Sequence, residues 1–191
     1  MVENLSKEIC IELNSNLIPE ELFNAFINSG KEEVIIVNIG TDRCTGDCLG
    51  PLTGTFLENN GTYIKVYGTL EQPIHALNLN KRLNEIFKNH PNAFIVAIDA
   101  ALGETSHIKN IYLKNKPINP GAGVEKKLKH VGDYSIIGIV NSVSDFNFVS
   151  LQGVRLSMIF EMANKITKEL LLFDNLVKDY FCNECNQKIA N

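Results

Sequence analysis

Glu33-Val-Ile-Ile-Val-Asn-Ile39 is an almost unbroken run of β-branched residues closed by Gly40, and it decides the fold class. A strand solvated on one face alternates apolar with polar residues, whereas a strand covered on both faces reads as a continuous apolar stretch. Ala93-Phe-Ile-Val-Ala-Ile98 repeats the pattern with Asp99 at its end, and Tyr134 to Val140 supplies a third apolar strand. The intervening segments carry helical spacing. Leu49, Leu52, Phe56 and Leu57 predict a helix, and Pro51, tolerated only in a first turn, sets its start between Thr45 and Gly50. Ile74 to Lys88 carries Leu79, Leu83, Ile86 and Phe87 before His90-Pro91 stops it, while Tyr63 to Tyr67 and Ile108 to Leu113 read as short strands. Strands alternating with helices predict an α/β three-layer sandwich, with a mixed, mainly parallel central sheet and helices on both faces. Residues 1–191 read as a single domain. Its first 30 residues form an extension whose short helix, Pro19 to Asn28, is expected on the sheet edge, and one long amphipathic helix is expected over 151–181.

Composition narrows the function. The chain has 191 residues, 45% of them apolar, which suffices for one buried core without a metal or disulfide staple. Its 18 Lys and Arg stand against 22 Asp and Glu, a formal charge of -4, so it lacks the basic face with which general nucleic-acid binders neutralise phosphates. No run approaches the ~18 apolar residues of a membrane helix. Glu3, Lys7, Glu8 and Glu12 interrupt any signal-peptide pattern at the N-terminus. The expected location is cytoplasmic. Five Cys is an odd number, and in a reducing compartment they are expected as thiols.

Ligands of open α/β sheets bind beyond the carboxyl ends of the strands, where the strand order reverses. Two aspartates fall at such ends. Asp47 follows the first apolar strand near the start of a helix, and Asp99 follows the second, after six apolar residues. On neighbouring strands the two carboxyls share one crevice, where a pair can share a proton, one member activating water and the other serving as acid. A divalent cation held by the pair is a disfavoured variant, with His107 as its third ligand, and the bland alternative is that each Asp caps a helix or turn. Gly40-Thr-Asp-Arg-Cys-Thr-Gly46 matches neither GxGxxG nor GxxxxGK[ST], which argues against a nucleotide site. Thr41 and Asp42 in that loop are candidate substrate contacts, the plain alternative being an Asp42–Arg43 surface pair. Asn119-Pro-Gly-Ala-Gly123 is a second glycine-rich loop, in which Asn119, Gly121 and Gly123 are candidate contacts for substrate backbone. Cys182-x-x-Cys185 with Cys44-x-x-x-Cys48 is a weak zinc pattern.

The ordered set Asn38-Ile-Gly-Thr-Asp-Arg-Cys-Thr-Gly-Asp-Cys-Leu-Gly-Pro51, Ala97-Ile-Asp-Ala-Ala-Leu-Gly103, Asn119-Pro-Gly-Ala-Gly-Val124 and Val131-Gly-Asp-Tyr-Ser-Ile136 closely resembles the YyaC-type sporulation proteins, described as spore proteases of endospore-forming bacteria. The resemblance runs from about Glu33 to about Asp174. It extends distantly to the spore germination protease and to the hydrogenase maturation endopeptidases, and it implies their three-layer fold. The germination protease has a catalytic Asp in a Pro-Asp-Ala-Leu-Gly-Pro stretch, matched here by Gly46-Asp-Cys-Leu-Gly-Pro51, and a second in an Ile-Asp-Ala stretch, matched by Ile98-Asp99-Ala100. The resemblance therefore implies an aspartic-type endopeptidase with Asp47 and Asp99 as the catalytic pair. Its substrates would be proteins or peptides such as the small acid-soluble spore proteins, met in the cytoplasm of a mother cell or forespore. No nucleic acid, membrane or cofactor is implied, and a homo-oligomer is left open. The chain departs from these relatives in having no room for the germination protease's propeptide, no His in the metal motif of the hydrogenase proteases, and Glu125 where a Gly is usual. The alternative is a non-catalytic sporulation protein that binds a peptide or protein partner in the same crevice.

Overall fold

The computed structural model describes residues 10–12, 18–118, 130–144 and 147–189. The strands are β1 (Cys10–Glu12), β2 (Glu33–Asn38), β3 (Lys65–Tyr67), β4 (Ala93–Gly103), β5 (Ile111–Lys114) and β6 (Tyr134–Ser142). The helices are α1 (Ile18–Ser29), α2 (Leu49–Asn59), α3 (Leu79–Asn89), α4 (Asn147–Gln152) and α5 (Leu156–Ile189), with 3-10 turns at Gly46–Cys48 and Thr105–His107. One six-stranded sheet has the order β1-β5-β6-β4-β2-β3. Strands β3, β2, β4 and β6 are parallel, and β5 runs antiparallel to both β6 and β1. This is the mixed, mainly parallel α/β architecture that the apolar runs predict.

The period of two along β2 and β4 sorts their side chains into two cores. Val34, Ile36, Phe94, Val96 and Ile98 face α1, α2 and α5, where Leu22, Leu57 and Phe173 bury against them. On the opposite face Ile35, Val37, Ile95 and Ala97 pack under Leu79, Leu83 and Ile86 of α3. Burial on both faces is why these strands carry no polar alternation.

Several boundaries differ from the sequence reading, each for a local reason. Asp99 does not end its strand: β4 continues to Gly103 because β6 supplies a ladder partner as far as Ser142. Helix α1 lies on a sheet face rather than the edge, its Phe26 ring 5.9 Å from Phe94 and 6.1 Å from Tyr180 of α5. The single helix expected over 151–181 is two, because the chain turns at Gly153-Val-Arg155 between α4 and α5, and α5 then meets no Gly or Pro and runs on to Ile189. Strand β5 begins at Ile111 rather than Ile108, since Lys109 adopts φ 76° and breaks the extended run. Helix α3 starts at Leu79, and Ile74 instead forms a parallel bridge to Ile39. The edge strand β1 has no counterpart in the sequence reading.

Strand β3 is shorter than predicted because the amides of Tyr63 and Ile64 donate to the Asp174 carboxylate of α5, at 3.1 and 2.7 Å, instead of to a strand. Asp174 is 6% exposed, so its removal strands two amides in the interior. Asp174→Ala is expected to lose about 3 kcal/mol of stability, read as a lower urea midpoint with an unchanged slope.

Candidate active site

The connection from β2 leads to β3 on one side, and the chain returns through α3 to place β4 on the other side of β2. Adjacent connections leaving in opposite directions open a crevice at the carboxyl ends of β2 and β4. The last rung between them is the Ile39 amide on the Ile98 carbonyl, at 2.8 Å. Gly40 then turns the chain away with φ 138°, its own amide on the Ile74 carbonyl at 2.8 Å.

The loop after Gly40 folds back over this opening. The Thr41 amide donates to the Asp47 carbonyl at 3.1 Å, and the Asp47 amide donates to the Cys44 carbonyl at 3.0 Å. Asp47 thus sits in the 3-10 turn Gly46–Cys48 that leads into α2. A Cβ on Gly40 would overlap the Asp47 carbonyl oxygen, and one on Gly50 would overlap the Ile39 carbonyl oxygen. Only glycine lets the loop and the first turn of α2 close this tightly over the strand end. The N-cap residues are Thr45 for the 3-10 turn and Cys48 for α2, and neither makes a side-chain cap hydrogen bond. Asp47 is the N-cap of neither element.

Asp99 lies one residue beyond the last β2 rung, half-buried as Asp47 is. Its Oδ1 accepts the amide of the next residue, Ala100, at 2.9 Å. Burial pushes the Asp47 carboxyl up from its ordinary 3.8 to about 6, against the opposing pull of the Thr41 amide. Asp99 is held well above the carboxylate range, first by burial and then by the negative charge of Asp47, with the Ala100 amide opposing. The charge of Asp47 thus reaches Asp99, which places both acids beyond the last rung between the adjacent strands β2 and β4. Burial also raises the Cys48 thiol, with Asp42, Asp47 and Cys44 adding to it, so Cys48 is kept protonated and makes a poor nucleophile.

Thr41 and Asp42 stand on the same loop, where the Thr41 hydroxyl accepts the Arg43 amide at 3.3 Å and lies 3.5 Å from Asp42 Oδ1. Asp42 and Arg43 are exposed, and no ion pair joins them among the described residues. Asn119, Gly121 and Gly123, with Glu125, lie outside the described residues. His107 sits in its exposed 3-10 turn with its ring 6.1 Å from Tyr112, and among the described residues no three His, Cys, Asp or Glu side chains converge to hold a metal. Cys44 and Cys48 are buried while Cys182 is exposed on α5, and the Cys185 side chain lies outside the description. The sequence reading missed the Thr41 amide as a partner of Asp47, since a backbone donor leaves no trace in residue type.

Comparison with known proteins agrees with this architecture. The family described as "Protein of unknown function (DUF1256)" matches residues 6–169. The chain is 44% identical over 142 residues to the "Uncharacterized protein YyaC" of Bacillus subtilis (strain 168), covering 74% of this chain and 69% of that protein. Among solved structures, a [NiFe] hydrogenase maturation protease HycI from Thermococcus kodakarensis KOD1 superposes with a TM-score of 0.54 at 18% identity, over 83% of this chain and 99% of its own. That likeness is one of fold: the chain shares the architecture of a protease. No helix among the described residues is long and apolar enough to cross a membrane. The chain belongs to the DUF1256 family.

Proposed function

We propose that this DUF1256 member is a sporulation-associated peptidase of the germination-protease type, in which Asp47 and Asp99 form one acid pair that hydrolyses peptide bonds of spore proteins. The observation that carries the reading is the placement of two half-buried acids, Asp47 and Asp99, beyond the last β2–β4 rung at the topological switch point, where the charge of Asp47 raises Asp99. Asp47, pushed up to about 6, is assigned the role of the ionised member at neutral pH, and Asp99, raised by burial and by the charge of Asp47, the role of the protonated one. The Asp47 carboxylate takes a proton from water as the oxygen attacks the scissile carbonyl, and Asp99, with Oδ1 engaged by Ala100, gives the proton on its other oxygen to the substrate. Breakdown transfers a proton to the leaving nitrogen and breaks the C–N bond. Thr41 and Asp42 on the loop, and Asn119, Gly121 and Gly123, are assigned to hold the substrate chain. The protein is assigned to the cytoplasm of the sporulating cell.

The test is digestion of small acid-soluble spore proteins by the purified full chain, read by mass spectrometry from about pH 4 to pH 9. Discrete cleavage products are expected, with a rate that climbs as Asp47 ionises around pH 6. A rate already maximal below pH 4 contradicts the pair. Folded protein that leaves these substrates intact yet retains them on a column favours a non-catalytic peptide-binding protein.

A further inference from the structure

Strand β4 outlives its neighbour. The β2 partner register stops at Asn38 opposite Ile98, whereas pairing with β6 continues to Gly103 opposite Ser142. The register shift near Ala101 arises because β6 carries an extra residue, Val140, between the partners of Ala101 and Leu102. Strand β4 itself keeps its alternation. Ile98 turns its carbonyl to the β2 side, where the Ile39 amide takes it, and Gly103 turns its carbonyl to the β6 side, where the Val143 amide takes it at 3.1 Å. The backbone groups of Ala100 and Leu102 therefore face the edge that β2 has vacated. Among the described residues no main-chain partner meets the Ala100 carbonyl or the Leu102 amide and carbonyl. The remaining group on this edge, the Ala100 amide, is capped by Asp99 itself, which turns that carboxyl toward the open edge.

A cavity of about 490 Å³ lies just beyond Leu102, at the ends of β4 and β6, lined by Gly103, Glu104, Thr105, Ser142 and Val143. Val143 is 64% exposed. Among the described residues Glu104 is the one charged side chain in the lining, so the cavity suits a neutral or basic side chain better than an acidic one. A carbonyl, then an amide and a carbonyl two residues on, spaced by ~6.6 Å, are matched by another polypeptide backbone in extended form.

We propose that an extended, non-acidic polypeptide segment binds as an added strand on the Ala100–Leu102 edge of β4, with one of its side chains in the Gly103–Val143 cavity and its main chain passing the Asp99 carboxyl. This rests on the peptidase reading for its purpose and names the form in which the substrate is held. The binding itself follows from the edge alone, by β-strand addition.

The probe is reduced, carbamidomethylated ribonuclease A, an unfolded basic chain, offered to the full-length Asp47→Asn protein so that no turnover is needed. Amide exchange of the Leu102 N–H is expected to slow by about tenfold or more at saturation. Leu102→Pro, which deletes that donor, is expected to weaken binding by at least about tenfold. Failure to bind, binding without protection at Leu102, or undiminished binding by a folded Leu102→Pro protein overturns the proposal. If the proline variant does not fold, protection at Leu102 decides alone. Binding with protection but no cleavage by the wild-type chain would keep the strand site and discard the peptidase reading.

Discussion

Asp99→Asn is expected to lower the rate of peptide cleavage by about 10²–10⁴-fold and at the same time to make the protein more stable at neutral pH. Asp47→Asn is expected to do the same. The opposite directions are the informative part, since an aspartate that merely supports the fold would lose stability when its charge is removed. The sign follows from the shifts. The folded chain holds the Asp47 proton until about pH 6, against 3.8 for an ordinary Asp. Between those values the folded state binds more protons than the unfolded one, so stability falls as pH rises from about 4 through about 6. Above that range the ionised Asp47 is a standing burden of about 2 kcal/mol, after discounting for the part of the carboxyl that reaches solvent. Asparagine removes it. Urea unfolding at pH 7 should therefore show Asp47→Asn ahead of wild type by about that amount, and at pH 4 the two should nearly coincide. Asp99→Asn is expected to gain as well, because burial and the charge of Asp47 raise Asp99 in the same direction.

Gly40→Ala is expected to cost about 3–5 kcal/mol and to abolish activity in whatever fraction still folds. Two penalties coincide at this residue. Its φ of 138° lies where side chains are rarely accommodated, and a Cβ would occupy the space of the Asp47 carbonyl oxygen. Relief requires moving the Asp47 backbone, and with it the Asp47 carboxyl. Gly61→Ala is the control: Gly61 also has positive φ, 68°, but a Cβ there meets nothing within 4 Å, so about 1 kcal/mol and full activity are expected. Equal losses in the two variants would show that backbone strain alone, and not the closure over Asp47, sets the cost.

The parts of this molecule that the sequence makes legible are those governed by burial. Glu33 to Ile39 and Ala93 to Ile98 are apolar because both faces of the sheet are covered, and their carboxyl ends mark where Asp47 and Asp99 must lie. What pairing alone decides is not written in residue type. Ala100 to Gly103 look like a turn after a charged residue, yet they extend β4 because β6 runs beside them. The shortening of β3 depends on Asp174, which is more than 100 residues away along the chain. The division of the C-terminal helix at Gly153 was legible in principle, because that Gly interrupts an otherwise helical pattern. The contact between the Thr41 amide and Asp47 has no side-chain signature at all.

The most direct measurement needs no substrate: the protonation of the two carboxyls, followed by ¹³C NMR of aspartate-labelled protein through the acid and neutral range, in wild type and in each Asn variant. Asp47 is expected to titrate near pH 6 and Asp99 well above the ordinary 3.8, with the Asp99 midpoint falling when Asp47 is replaced because the neighbouring charge is gone. Both carboxyls ionised by about pH 4, or an Asp99 midpoint indifferent to Asp47→Asn, would contradict a coupled acid pair and the chemistry built on it.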